Sequence, residues 1–295
     1  MKVALESLDS RAPWLDRTDA VSIHRLQVLT GMNRDQYNDW LANPIPVEPK
    51  GRIGTIVEAE FSISDGMPIG IEWDIDDYNK NGIEIDIPSE ITSPDMQKLP
   101  PIKVRGQIDR VDQVPFDKDG KIWLNKDGDN SIAPLKLTDS DWKPKRLIII
   151  RDLKTSESKS SKQRHNVGLL EELQLAIYAR AWEISHPGDL VVGVGISLFS
   201  HNTSHNLETS NVFPHINKLN IGIISRITED LYRFPNEDNN PGSDQFRAWL
   251  THRLSVSLGV ANNATLGKVH PTPSKKVCTY CSVKQICDVK MEGDF

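Results

Sequence analysis

An acid and a lysine two positions apart follow an apolar run near the middle of the chain. Leu147 to Ile150 form the run, and Asp152 and Lys154 come directly after it. Such a run is typical of a buried central strand, along which Asp152 and Lys154 would point to the same face. Buried charges need partners, and a divalent metal with a phosphate would satisfy both side chains. A salt-bridged strand end is the simpler alternative.

Further carboxylates precede this pair in the chain. Asp109 lies in the alternating stretch 104–112, which predicts a second strand. Phosphodiester hydrolysis at neutral pH uses a hard cation that binds the phosphate and lowers the pKa of water, and Mg²⁺ commonly takes one or two carboxylates. Asp109 and Asp152 can supply these, and Lys154 can orient the attacking water or stabilise the pentavalent phosphate. Glu58 or Glu60, in a helix or strand over 51–61, is available as a further acid.

An amphipathic pattern over residues 168–184 predicts a helix after this strand. Gln174 and Tyr178 are four positions apart and would share a face beside the apolar stripe. The pair would suit an active-site edge or merely the polar edge of an ordinary helix. The preceding serine-rich stretch, 156–166, is predicted to be a basic loop with Arg164 and His165 near its end, either facing nucleic acid or simply solvated.

The three cysteines of the chain, Cys278, Cys281 and Cys287, lie within ten residues of one another. An odd, crowded set is a poor disulfide framework and a good metal-ligand pattern. It therefore predicts a reducing, intracellular (cytoplasmic) location.

The composition is that of an ordinary globular protein of 295 residues with a net charge of −6. No apolar stretch reaches the roughly 18 residues of a membrane span, so we expect no membrane partner. The negative charge excludes an overall basic coat but leaves room for a local basic groove that binds nucleic acid.

The order strand, helix, strand across residues 147–199 predicts an α/β core. Two short helices are predicted over 21–29 and 33–41, and two longer ones over 217–232 and 246–258. We expect a helical segment at 1–50, a core at 51–265 with a β-rich insertion at about 62–145, and a cysteine tail at 266–295. The acidic stretch 72–89 falls within the insertion.

Four blocks of the chain, taken in order, resemble the PD-(D/E)xK nucleases of the RecB-like branch. These blocks are G-Q-I-D-R-V-D from Gly106, D-L-K-T from Asp152, Q-L-A-I-Y-A from Gln174 and the C-x2-C-x5-C spacing of the cysteines. The branch includes the nuclease domains of AddB and RecB, CRISPR-associated adaptation exonucleases and the exonuclease V type. With the first motif, the resemblance spans about residues 51–290.

The resemblance implies a central mixed sheet flanked by helices, as in restriction endonucleases, and dependence on Mg²⁺ or Mn²⁺. It implies cleavage of DNA, often single strands from an end, in repair, recombination or CRISPR-type processing, with a possible helicase partner. Asp109 and Asp152 would bind metal, Lys154 would be catalytic, and Gln174 and Tyr178 would match the Q-x3-Y motif beside the active site. The family's first motif, G-x-x-x-H, has Glu58 in place of its histidine, and we interpret Glu58 as a third metal ligand, with Glu60 as the alternative.

The cysteines of related proteins hold a [4Fe-4S] cluster with a fourth cysteine upstream, which this chain lacks. Ala12 stands where that ligand is expected. The alternatives are a substitute ligand such as His24, a ligand from another chain, a labile cluster, bound zinc, or no metal at all. The alternative for the whole chain is a catalytically inactive DNA-binding or scaffold subunit of a helicase–nuclease complex.

Overall fold

The computed structural model describes residues 17–43, 51–76, 81–88, 99–115, 144–155, 160–199, 203–211, 213–232, 244–268 and 278–279. The helices within these ranges are α1 Ala20–Thr30, α2 Arg34–Ala42, α3 Gly51–Ser62, α4 Ser161–Leu170, α5 Gln174–Ser185, α6 Ile227–Leu231 and α7 Gln245–Thr265. The strands are β1 Met67–Ile75, β2 Ile83–Ile85, β3 Ile102–Val104, β4 Gly106–Val114, β5 Arg146–Lys154, β6 Asp189–Leu198, β7 Ser204–Thr209 and β8 Ile223–Ile224.

The main sheet of the described residues has six strands in the order β1-β4-β5-β6-β7-β8. The pairs β5–β6 and β7–β8 are parallel, and the other neighbours are antiparallel. The prediction of a mixed sheet in an α/β fold is therefore confirmed. Strands β2 and β3 form a small separate sheet. The domain boundaries inferred from the sequence stay a prediction.

Strand β5 lies inside the sheet and is covered on both sides, because its apolar residues alternate between two cores. On the first face, Ile148 and Ile150 pack in a core with Trp182 of α5 and Trp249 of α7. On the second face, Leu147 and Ile149 pack in another core with Phe213, Ile216 and Ile221. Burial on both sides explains why this strand has a continuous apolar run instead of alternating apolar and polar residues.

Helix α3 answers the open choice at residues 51–61, where periodicity alone fitted a helix or a strand. It approaches the second face of the sheet, where the backbone oxygen of Ala59 lies 3.2 Å from Nε2 of His205 on β7. Its first residue, Gly51, has a φ of 59°, and a Cβ there would lie 2.5 Å from the backbone nitrogen of Gly31. Only glycine fits at this position, because the start of α3 lies so close to the end of α1.

The helix predicted over 168–184 is wrong in its bounds. Helix α4 begins at Ser161, inside the stretch expected to be a loop, because Ser160 and Gln163 cap each other in a reciprocal pair of hydrogen bonds. Helix α4 ends at Leu170, and a separate helix, α5, begins at Gln174. The break makes Gln174 the first residue of α5.

The helix predicted over 217–232 is also wrong. The segment contains the end of a short 3₁₀ helix, strand β8 and the short helix α6. Gly222 has a φ of 127°, which a helix does not allow, and Ile221 is buried in the second core. The tertiary contacts of the turn therefore override the helical spacing of its apolar residues. The other two predicted helices of the N-terminal part are confirmed as α1 and α2, and the last as α7, which extends to Thr265.

Among the described helices, none has both the length and the hydropathy of a membrane span.

Candidate active site

The pairing between strands β4 and β5 ends beside Asp109 and Asp152, the two carboxylates that the sequence predicts to bind metal. Their ladder runs from Val114 opposite Leu147 to Arg110 opposite Arg151. One position further, Oδ2 of Asp109 accepts a hydrogen bond of 2.7 Å from the backbone N–H of Leu153. The carboxylate thus serves as the acceptor for β5 where β4 ends its pairing, which holds it beside the Asp-x-Lys segment.

Asp152 and Lys154 form an ion pair on the first face, as their spacing predicted. Nζ of Lys154 lies 2.8 Å from Oδ2 and 2.9 Å from Oδ1 of Asp152. The Asp152 side chain is only 3% exposed, whereas that of Lys154 is 29% exposed. The carboxylate is therefore sealed from most sides, and the ammonium group remains within reach of solvent.

Burial raises the pKa of Asp152 above its ordinary value, and the hydrogen bond and charge of Lys154 oppose this increase. The neighbouring charge of Asp109 raises the pKa further. Two carboxylates so close disfavour each other's ionised form, and a cation between them would relieve the cost. This is a donor set that suits a hard divalent ion.

Gln174 and Tyr178 lie next to the carboxylates at the beginning of α5. Nε2 of Gln174 donates a hydrogen bond of 2.6 Å to Oη of Tyr178. Burial raises the pKa of Tyr178, and the negative charges of Asp152 and Asp109 add to the increase. The structure therefore brings together five of the six predicted catalytic residues, three from the strands and two from the helix.

Arg164, predicted from the sequence to lie in a basic loop, is a neighbour of the site. Its side chain is largely buried, and Nη2 donates a hydrogen bond of 2.9 Å to Oε2 of Glu172. Its positive charge contributes to lowering the pKa of Asp152. The signal that was missed is the spacing of Ser160 and Gln163, a capping box that starts a helix here instead of a loop.

Glu58, the sixth predicted residue, is exposed on α3. Among the described residues, no group of three histidine, cysteine, aspartate or glutamate side chains is assembled to hold a metal ion, so Glu58 is not grouped with Asp109 and Asp152. Glu60 forms an ion pair with Arg110, and its Oε1 lies 3.9 Å from Nε2 of His205. The role of Glu58 stays a prediction.

The predicted cysteine site falls mostly outside the described residues. Cys278 lies within them, partly exposed and in no disulfide, whereas Cys281 and Cys287 lie outside, as does Ala12. His24, a possible substitute ligand, is exposed on α1.

A comparison with protein-family models agrees with this geometry. The model of the PD-(D/E)XK nuclease superfamily matches residues 138–288, a little over half of the chain, and this stretch includes Asp152, Lys154, Gln174 and Tyr178. The chain belongs to the PD-(D/E)XK nuclease superfamily, whose members are generally metal-dependent nucleases. No curated protein matches the chain significantly.

Proposed function

We propose that this protein is a Mg²⁺- or Mn²⁺-dependent DNA nuclease whose active site is built from Asp109, Asp152 and Lys154. The observation that carries the proposal is the convergence of two carboxylates and one lysine where the pairing between β4 and β5 ends. Asp109 and Asp152 would hold the metal, and Glu58 would join them as a third ligand. A bound metal ion would bind the phosphate, lower the pKa of the attacking water and shield the charge on the phosphodiester.

Within this proposal, the protein side chains bind and orient the substrate. Nζ of Lys154 lies within hydrogen-bond distance of both carboxylate oxygens of Asp152. Because an ammonium group has three N–H donors, it can also turn a donor to the attacking water or to a phosphate oxygen. Gln174 and Tyr178, joined to each other, form the rim of the site toward α5. Their amide and hydroxyl groups are suited to hold a nucleotide beside the carboxylates.

We further propose that the preferred substrate is single-stranded DNA or a DNA end, and that the enzyme acts as an exonuclease. The support is the resemblance to the RecB-like branch, carried by the pairing of Gln174 with Tyr178 after the Asp-x-Lys segment. Under this proposal, the protein would act in DNA repair, recombination or CRISPR-type processing inside the cell, associated with the nucleoid, with a helicase as a possible partner.

The cysteines of the tail form a separate part of the proposal. We propose that Cys278, Cys281 and Cys287 bind a [4Fe-4S] cluster or zinc, because thiolates at such spacing are typical ligands of both. His24 or a ligand from another chain would complete the set. Metal analysis and the visible absorption of protein purified without oxygen would distinguish the two metals.

The decisive test is Mn²⁺-dependent degradation of end-labelled single-stranded DNA by the wild type and by Asp152→Ala. A matched control is Asp86→Ala, which removes an exposed carboxylate that pairs with Arg180. We expect the wild type and the control to cut and Asp152→Ala to be inactive. Product lengths then separate trimming from an end from internal cutting.

Two other results would contradict the proposal. Equal cutting by all three proteins would show that Asp152 is not a ligand. No cutting by any of them, with Mg²⁺ or Mn²⁺ and with the cluster intact, would favour the inactive DNA-binding or scaffold subunit instead. Glu58→Gln and Glu60→Gln, compared in the same assay, would decide which glutamate of α3 serves the site.

A further inference from the structure

The second face of the sheet carries a sealed chain of alternating charges directly behind the candidate active site. Asp112 accepts hydrogen bonds from Nε of Arg110 at 2.8 Å and from Nε of Arg151 at 2.5 Å. Arg110 also forms an ion pair with Glu60 of α3. The side chains of Asp112 and Arg151 are 0% exposed, so these bonds are made out of contact with solvent.

The position of this network along the strands ties it to the carboxylates of the first face. Arg110 and Arg151 are the last pair of the β4–β5 ladder, and they immediately precede Asp152 on one strand and follow Asp109 on the other. A shift of one residue between the strands would turn every side chain to the opposite face. Such a shift would also break the bond between Asp112 on β4 and Arg151 on β5 and leave a buried charge unpaired, which is strongly unfavourable.

We propose that Arg110, Asp112 and Arg151 are positioning residues that hold Asp109 and Asp152 side by side from behind the sheet. The inference rests on the proposed function, because the carboxylates are taken to bind metal. Two additional contacts extend this network. Nη2 of Arg151 donates a hydrogen bond of 2.7 Å to the backbone oxygen of Ile221. Glu60 pairs with Arg110 and so links the network to α3, the helix that carries Glu58.

A second ion pair on the same strand gives a matched control. Arg146, at the other end of β5, makes two hydrogen bonds to Asp189, of 2.8 and 2.7 Å. An arginine lost there breaks an ion pair between β5 and β6, in which Arg146 is 35% exposed, but leaves the β4–β5 pairing at Asp109 and Asp152 untouched. A general loss of stability would therefore affect both variants, whereas a loss of positioning would affect one.

The test measures Mn²⁺ binding by calorimetry, together with the metal dependence of DNA cleavage, for Arg151→Met and Arg146→Met. Residues that orient metal ligands through hydrogen bonds typically change metal affinity by about 10- to 100-fold when they are removed. We expect Arg151→Met to bind Mn²⁺ at least about 10-fold more weakly than the wild type. We expect Arg146→Met to bind as the wild type does, and Arg151→Lys, which keeps the charge beside Asp112, to recover part of the lost affinity.

Wild-type affinity in Arg151→Met would overturn the inference, as would an equal loss in both methionine variants. If Arg151→Met does not fold, Asp112→Asn provides the same test, because it removes the charge that Arg151 of β5 binds on β4. A wild type that neither binds Mn²⁺ nor cuts DNA would instead reject the proposed function. A wild type that binds and cuts, with Arg151→Met or Asp112→Asn binding Mn²⁺ equally well, would reject the positioning role alone.

Discussion

Asp112 and Asp152 are both buried aspartates on neighbouring strands, but their surroundings differ. Asp112 lies on the second face between two arginines and has no exposed surface. Asp152 lies on the first face with one lysine, itself partly exposed, and with a second carboxylate nearby that raises its pKa. The first aspartate has its charge satisfied within the fold, and the second has a charge that the fold leaves incompletely compensated.

The contrast between the two aspartates lies in how completely each charge is paired. A carboxylate that is fully paired contributes to a unique register and gains little from a further cation. A carboxylate that is buried with too few partners costs stability and is the natural ligand for a metal ion. The two faces of one strand pair therefore each carry a buried aspartate, one between two arginines and one beside a single lysine.

The largest effect is expected for Asp152→Asn. The amide cannot bind a metal as a carboxylate does, so DNA cleavage should fall by about 1,000-fold. Because burial raises the pKa of Asp152, the fold disfavours the charge, and its removal should leave thermal stability unchanged or increased. Cleavage assays and thermal unfolding at pH 7.5, with and without Mn²⁺, measure both quantities. Mn²⁺ should stabilise the wild type and not the variant.

Asp112→Asn is the matched change on the second face. It leaves Arg151 buried without an anionic partner, and breaking such a pair should lower the free energy of unfolding by about 4 kcal/mol. Residual cleavage should persist at high metal concentration, because the ligands themselves remain. Urea unfolding followed by fluorescence measures the stability. An Asp112→Asn protein as stable as the wild type would break the comparison between the two aspartates.

The strand end with Asp152 and Lys154 could be predicted from the sequence because a period of two and a continuous apolar run depend only on local order. The pairing of Gln174 with Tyr178 was predictable for the same reason, since residues four apart share a helix face. The bond between Asp112 and Arg151 was not, because it depends on the register between two strands and joins residues more than thirty positions apart along the chain. Sequence spacing carries no information on that register.

The burial of Arg164 and His165 was missed for a different reason. A basic, serine-rich stretch has the composition of a loop, and composition outweighed the capping box that starts α4. For the segment 217–232 the error was the opposite: helical spacing of the apolar residues predicted a helix, but Gly222 has a backbone conformation that a helix does not allow. Local signals conflict in both segments, and only tertiary packing decides between them.

Two buried histidines predict an acid-labile fold. Burial lowers the pKa of His165 and of His205 from 6.5 to about 4, and the positive charges of Arg151 and Arg110 add to the effect at His205. Because the folded pKa lies below the unfolded value, the contribution of each neutral histidine to the free energy of unfolding is fully present above about pH 6.5. This contribution is lost as the pH falls toward 4. Each histidine should cost about 3 kcal/mol over that range.

Urea unfolding at pH 7.5 and at pH 5 measures this loss. His165 has no hydrogen-bond partner for either ring nitrogen among the described residues, so His165→Leu should remove its share of the pH dependence without breaking a bond there. His24→Leu, which changes an exposed histidine, is the control for the substitution itself. An equal pH dependence in the wild type and His165→Leu would show that this imidazole titrates normally.

The smallest effect is expected for Arg164→Met, which probes the open side of the site. The positive charge of Arg164 acts on Asp152, and its guanidinium group donates a hydrogen bond to Glu172. It can therefore add positive charge where the DNA phosphate would bind. Its loss should raise the KM for single-stranded DNA by about 10-fold with little change in kcat, because one charge-assisted hydrogen bond contributes roughly 1.5–3 kcal/mol. Arg180→Met, which breaks the ion pair with exposed Asp86, is the matched control and should leave KM unchanged. A fall in kcat with KM unchanged would mean that Arg164 acts on Asp152 and not on the substrate, which would extend the positioning role from the sealed face to the open one.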